Sequence, residues 1–152
     1  MDKEKTLFIA IFGTLFGALG ILAVPVFLLL GCNLIDYFTG IAAAKYREEK
    51  VSSYKGIRGI IKKVCMWLLI AVGWVLDVLL QYATMTMGLA LNLPFIVATV
   101  VAVWLICNEI ISILENMIDM DVDVPPFLMP LVHMIKQQTQ EKIETKEENS
   151  NE

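Results

Sequence analysis

Four carboxylates stand where carboxylates are costly: Asp36, Asp77, Glu109 and Glu115 all fall within long apolar stretches of the sequence. A charged group in hydrocarbon costs a few kcal/mol even on lenient insertion scales, so such residues face other helices or water. The chemistry this allows is assembly around the acids or the lining of an aqueous path. The spacing supports a polar stripe. Glu109, Ser112 and Asn116 lie at i, i+3 and i+7, one face of a helix, with Asn108 and Glu115 on the adjacent strip. Gly73, Asp77 and Gln81 repeat at i, i+4 and i+8. A blander reading stands beside this one. Asp36 and Glu115 fit interfacial depth, where charge is cheap, and Asp77 fits an ion pair with Lys62 or Lys63 of a neighbouring chain. Glu109, apolar on both sides, fits the blander reading least.

Enzymatic chemistry finds no support. The chain has one histidine, His133, and no phosphate loop, HExxH or nucleophile elbow. Cys32, Cys65 and Cys107 are far apart, without metal or redox spacing, and read as small hydrophobes. Neither a cofactor nor a metal is expected.

The elements that must position these acids are membrane helices. Of 152 residues, 57% are hydrophobic and 18% charged, and no charge occurs from Leu7 to Ile35 or from Val78 to Asn108. Mean hydropathy is +0.68. A bilayer core needs about 20 apolar residues of helix, and a soluble helix needs a polar face that these runs lack. The first run exceeds the apolar core of a signal peptide and leads to no cleavage site. The expected fold is an all-α integral membrane protein spanning residues 1–136. Its helices fall at about 6–20, 24–46, 54–82, 93–118 and 126–136. Pro25 is expected to part the first two. They make one tilted crossing or two short ones, so the chain crosses three or four times. The last piece is short and amphipathic, with Phe127, Leu128, Leu131, Val132 and Ile135 on its apolar side, and is expected to lie on the membrane surface. His133 reads as an interfacial side chain within it. Asp119 to Glu152 holds eight acids and three bases, and residues 137–152 read as a disordered polar tail.

Between the second and third helices lies a loop with seven bases, Lys45, Arg47, Lys50, Lys55, Arg58, Lys62 and Lys63, against Glu48 and Glu49. Short basic loops stay in the cytoplasm and contact anionic lipid, which places the C-terminus there too. A nucleic-acid role is a poor fit for so short a segment wedged between membrane helices. Ser52 and Ser53 are candidate caps for the helix that follows. Gly13 and Gly17 form a GxxxG, and Gly40 with Ala44 a small-xxx-small pair, both suited to close helix packing.

The order of segments then carries a resemblance. IDYFTG is followed by a basic loop with VSSYKGIRGIIKK, a helix with Asp77, NEIISILEN and VPPFL. This resembles the phage holin family that includes the toxin-secretion holins of Gram-positive bacteria and their phages. Its members carry D-Y-x-T-G, a loop with S-S and G-[IL]-x-x-K, N-E-x-x-S-I-x-E-N, and V-P-x-P. Asp36, Tyr37, Thr39 and Gly40 fill the first motif. Ser52, Ser53, Gly56, Gly59 and Lys63 fill the loop. Asn108, Glu109, Ser112, Ile113, Glu115 and Asn116 fill the last helix. Ile110 and the adjacent Pro125 and Pro126 depart from the pattern. The resemblance implies a homo-oligomer that opens a lesion in the bacterial cytoplasmic membrane and releases an endolysin or a large toxin. An antiholin of the same fold is a partner or an alternative identity. No methionine lies between Met1 and Met66 to start a short second form. A small channel or transporter is the alternative from another class, but no discontinuous helix pair marks a substrate site.

Overall fold

The computed structural model of the protein describes residues 3–48, 53–88, 95–134 and 137. These form α1 (Lys3–Leu19), α2 (Ala23–Tyr46), α3 (Ser53–Thr86) and α4 (Ile96–Ile118), with a 3-10 turn, Gly20–Leu22, joining the first two. A short helical stretch follows at 128–134. Lys50, Ser52, Pro94, Ile135 and the tail beyond Gln137 lie outside the described residues.

Three stretches are long and apolar enough to cross a bilayer: Lys3–Tyr46, Gly56–Thr86 and Ile96–Ile118. The protein is thus of the all-helical integral membrane class. The first stretch, 44 residues, is about twice what one crossing needs, and it is not straight. Phe27 stacks on Phe16 at 4.8 Å and on Phe12 at 5.5 Å between ring centroids. A straight helix would hold residues 16 and 27 about 16 Å apart. The bend is made at Gly20, φ +52°, a left-handed conformation that glycine adopts without Cβ strain. The break therefore comes ahead of Pro25. That proline sits in the first turn of α2, where its missing N–H costs no hydrogen bond.

α4 carries most of the helix–helix contact, packing along both α2 and α3. The core joins Leu22 and Leu29 to Met66 and Ile70 through Ala98, Ala102 and Leu105 of α4. Two alanines, Ala98 and Ala102, are fully buried, because small side chains let membrane helices approach closely. The tightest approach is at Gly73, where a Cβ would stand 2.9 Å from the Ala98 Cα. Around this core much of the described surface along the helices is apolar. Leu7, Phe8, Ile9, Leu28, Phe38, Leu68, Leu79 and their neighbours are exposed, as side chains facing lipid must be.

α4 ends on Asp121, φ +57°. Asp121 N–H donates to the Ile118 carbonyl at 3.0 Å and Val122 N–H to the Met117 carbonyl at 3.1 Å, the paired bonds of a Schellman cap. The chain then turns back onto the bundle. Val132 is buried in one cluster with Cys107 and Leu114, and Val124, Leu128 and Met129 pack around it. The amphipathic helix expected on the membrane surface forms, but its Val132 side is docked on α4. Phe127, Leu131 and His133 remain exposed.

Candidate functional site: an ionic cluster among three helices

α2 brings Asn33 and Asp36 to one face, three residues apart. α3 brings Lys63 and Trp67, four apart, and α4 brings Glu109 and Asn116, seven apart. These spacings each put two side chains on one side of a helix, and the three sides converge. Lys63 Nζ donates to Asp36 Oδ2 at 2.8 Å and to Glu109 Oε2. Asn116 Nδ2 donates to Asp36 Oδ1 and to Thr39 Oγ1, both at 3.2 Å, and the Thr39 hydroxyl donates to the Asp36 carbonyl at 3.2 Å. The Asn33 amide turns its NH2 to Glu109 Oε2 at 2.9 Å and its oxygen to the Trp67 indole N–H at 3.1 Å; the donors and acceptors around it fix that orientation.

Asn33 and Glu109 are buried, 6% and 5% exposed. One ammonium thus faces two carboxylates, and the neutral donors of Asn33, Trp67 and Asn116 complete the coordination. Buried charges require this: desolvation of an ion costs several kcal/mol, and only close pairing with extra hydrogen bonds offsets it. An open cleft of about 730 Å³ lies over the cluster between α3 and α4, lined by Gly59, Lys62, Met66, Ser112 and Glu115 among others.

Asp77 stands elsewhere, 14 residues further along α3, about 21 Å by helical rise. It is buried, and its two carboxylate oxygens accept the Val97 and Ala98 N–H groups at 2.8 and 2.9 Å. A helix leaves its first N–H groups without intrahelical partners and its N-terminus partly positive. Asp77 caps α4 from the neighbouring helix, beside the Gly73–Ala98 approach. At the opposite end of the bundle, Arg47 pairs with Asp119, and the Tyr46 hydroxyl donates to Asp121 at 2.6 Å. These contacts pin the end of α2 to the end of α4.

Of the residues singled out from sequence, Asp36, Lys63, Glu109 and Asn116 come together. Asp36, Asp77 and Glu109 all find partners within the same chain. Gly40 lies against Asn116, its Cβ position 3.7 Å from Nδ2, so it admits the amide to Asp36. Ser112 and Glu115 line the cleft rather than the cluster. Gly13 and Gly17 face open space, with no atom of the described residues within 4 Å of either Cβ position. Lys45 lies in the last turn of α2, while Lys55, Arg58 and Lys62 lie in the first turns of α3. Sequence reasoning misses Asn33 and Trp67, and it places Gly73 on the Asp77 stripe without the close approach to Ala98. Their signal was spacing alone: Asn33 one turn before Asp36, Trp67 one turn after Lys63, Gly73 one turn before Asp77.

The fold and this cluster define a polytopic helical membrane protein with Asp77 and Glu109 buried among its helices. The chain belongs to the bacteriophage holin family, which it matches over residues 10–137. It is 34% identical over 124 residues to an uncharacterised protein of Listeria monocytogenes, covering 81% of this chain and 77% of the relative. It is 35% identical over 117 residues to an uncharacterised protein of Clostridium perfringens, covering 76% and 78%. A third uncharacterised relative, from Halalkalibacterium halodurans, is 32% identical over 109 residues, covering 72% and 76%. No solved structure matches.

Proposed function

We propose that this protein is a holin: it accumulates in the bacterial cytoplasmic membrane, self-associates, and opens a lesion through which an endolysin or a large toxin leaves the cell. The observation that carries the reading is a holin-family chain whose described exterior is apolar and whose buried acids lie inside. A path arises only when several copies meet and their helices rearrange. On this reading the basic segment around Lys45–Lys63 holds its end of the bundle in the cytoplasm, and the C-terminus lies on that side. Asp36, Asp77 and Glu109 are satisfied within each chain before triggering and line water after it. The open Gly13–Gly17 face supplies a packing surface for another copy.

The test is inducible expression in a bacterial host with a co-expressed endolysin. We expect abrupt loss of membrane potential and release of the folded enzyme, which a transporter or a narrow channel does not allow. Glu109→Gln and Glu109→Leu should each shift the time of lysis at matched protein level. Unchanged timing in both variants removes Glu109 from the mechanism.

A further inference from the structure

The cleft between α3 and α4 has features that the lesion does not use. Its α3 wall carries Gly59, Lys62, Met66 and Leu69, a single helical face, and its α4 wall carries Trp104, Ser112 and Glu115. Because Lys63 of α3 meets Glu109 of α4, while further along α3 Asp77 meets the start of α4, the two helices run antiparallel. Lys62 and Glu115 therefore share one end of the cleft, and Leu69 and Trp104 share the other. Polarity falls along the helix axis over about 10 Å, the rise of seven residues.

Depth agrees with this gradient. α4 has 23 residues, about 35 Å, close to the roughly 30 Å hydrocarbon core. Glu115 lies in its last turn and so at headgroup level. Lys62, next to the Lys63 that meets Glu109, lies at about the level of Ile110, roughly 8 Å deeper along the axis than Glu115. Neither Lys62 nor Glu115 has an ion-pair partner among the described residues. Gly59 leaves the polar mouth open, with nothing within 4 Å of its Cβ position.

We infer that this cleft is a binding site for one phospholipid with a zwitterionic, primary-amine headgroup. Lys62 takes the phosphate and Glu115 the ammonium. Met66, Leu69 and Trp104 hold the first part of an acyl chain. The charge of the cleft selects this headgroup over an anionic one. Asp36, Glu109 and Glu115 outnumber Lys62 and Lys63 by one, so a ligand bearing a cation is favoured and a purely anionic ligand is not. The volume, about 730 Å³, lies in the range of small-molecule sites, about 300–1,000 Å³.

Native mass spectrometry of the full chain in detergent, with phosphatidylethanolamine or phosphatidylglycerol added, tests it. We expect a single retained phosphatidylethanolamine and several-fold less phosphatidylglycerol. Lys62→Ala and Glu115→Gln should each lower retention about tenfold, the loss of one charge-assisted hydrogen bond. Ser112→Trp should abolish it by filling the cleft, with helix content unchanged by circular dichroism. Cys65 lines the cleft and is exposed, whereas Cys32 is half-buried and Cys107 buried. In a Cys32→Ala background the lipid should slow its alkylation. No retained lipid, equal retention of both lipids, or retention indifferent to all three variants overturns the assignment. So does efficient Cys65–Cys65 crosslinking that excludes lipid, which would give the cleft to a second copy.

Discussion

Removing the Lys63 ammonium leaves Asp36 and Glu109 facing each other with no cation between them. Breaking a buried ion pair by deleting one partner costs about 3–5 kcal/mol, so Lys63→Met should lower the thermal unfolding midpoint in detergent markedly. The triple change Lys63→Met, Asp36→Asn, Glu109→Gln, which leaves no charge to bury, should recover most of the loss. Failure of that recovery would mean the cluster acts by shape and not by charge. Arg47 and Asp119 make the contrast: both side chains are exposed, 38% and 44%, and Arg47→Gln should cost less than about 1 kcal/mol. At this scale the sequence was half legible. An acid in an apolar helix announces itself by type, and Asp36 and Glu109 did so. Their partner did not. Lys63 is one of seven bases in a segment whose composition is explained by orientation alone; the loop motif marks it, but only the packing of three helices makes it the partner of Asp36 and Glu109. For the same reason the acids looked as though they needed neighbouring chains, while the structure satisfies them within one.

At the scale of elements, the α3–α4 pair depends on a glycine and a cap. A Cβ at Gly73 meets backbone, which cannot yield as a flexible side chain could. Gly73→Ala should therefore destabilise the pair by about 1–3 kcal/mol, as overpacking does, read as lowered resistance to unfolding in detergent. Asp77→Ala leaves two N–H groups at the start of α4 without acceptors and should cost about 0.5–2 kcal/mol. Asp77→Asn keeps one acceptor and should cost less. Hydrogen exchange localised to residues 96–100 is the direct readout. The helices themselves were legible from charge-free runs, since a bilayer demands about 20 apolar residues in a row. The join between α1 and α2 was legible only in kind. Proline marks a helix boundary strongly, so Pro25 drew the break, but the chain bends at Gly20, whose positive φ glycine adopts without strain. The docking of the 128–134 helix was not legible, because an apolar stripe does not say whether lipid or protein covers it.

At the scale of the molecule, α2, α3 and α4 share one core, while α1 meets the rest mainly through the turn Gly20–Leu22 and the stacking of Phe12 and Phe16 on Phe27. Deleting residues before Gly20 should leave the remaining bundle folded, with its unfolding midpoint within a few degrees and Cys107 still shielded from alkylation. Loss of that shielding would show that α1 is part of the fold. If the bundle survives and lysis does not, α1 belongs to assembly. Two aromatic rings are a small purchase for a 17-residue arm. An arm so lightly tethered can swing out at little cost, and in a crowded membrane the nearest ring to receive it need not be on its own chain.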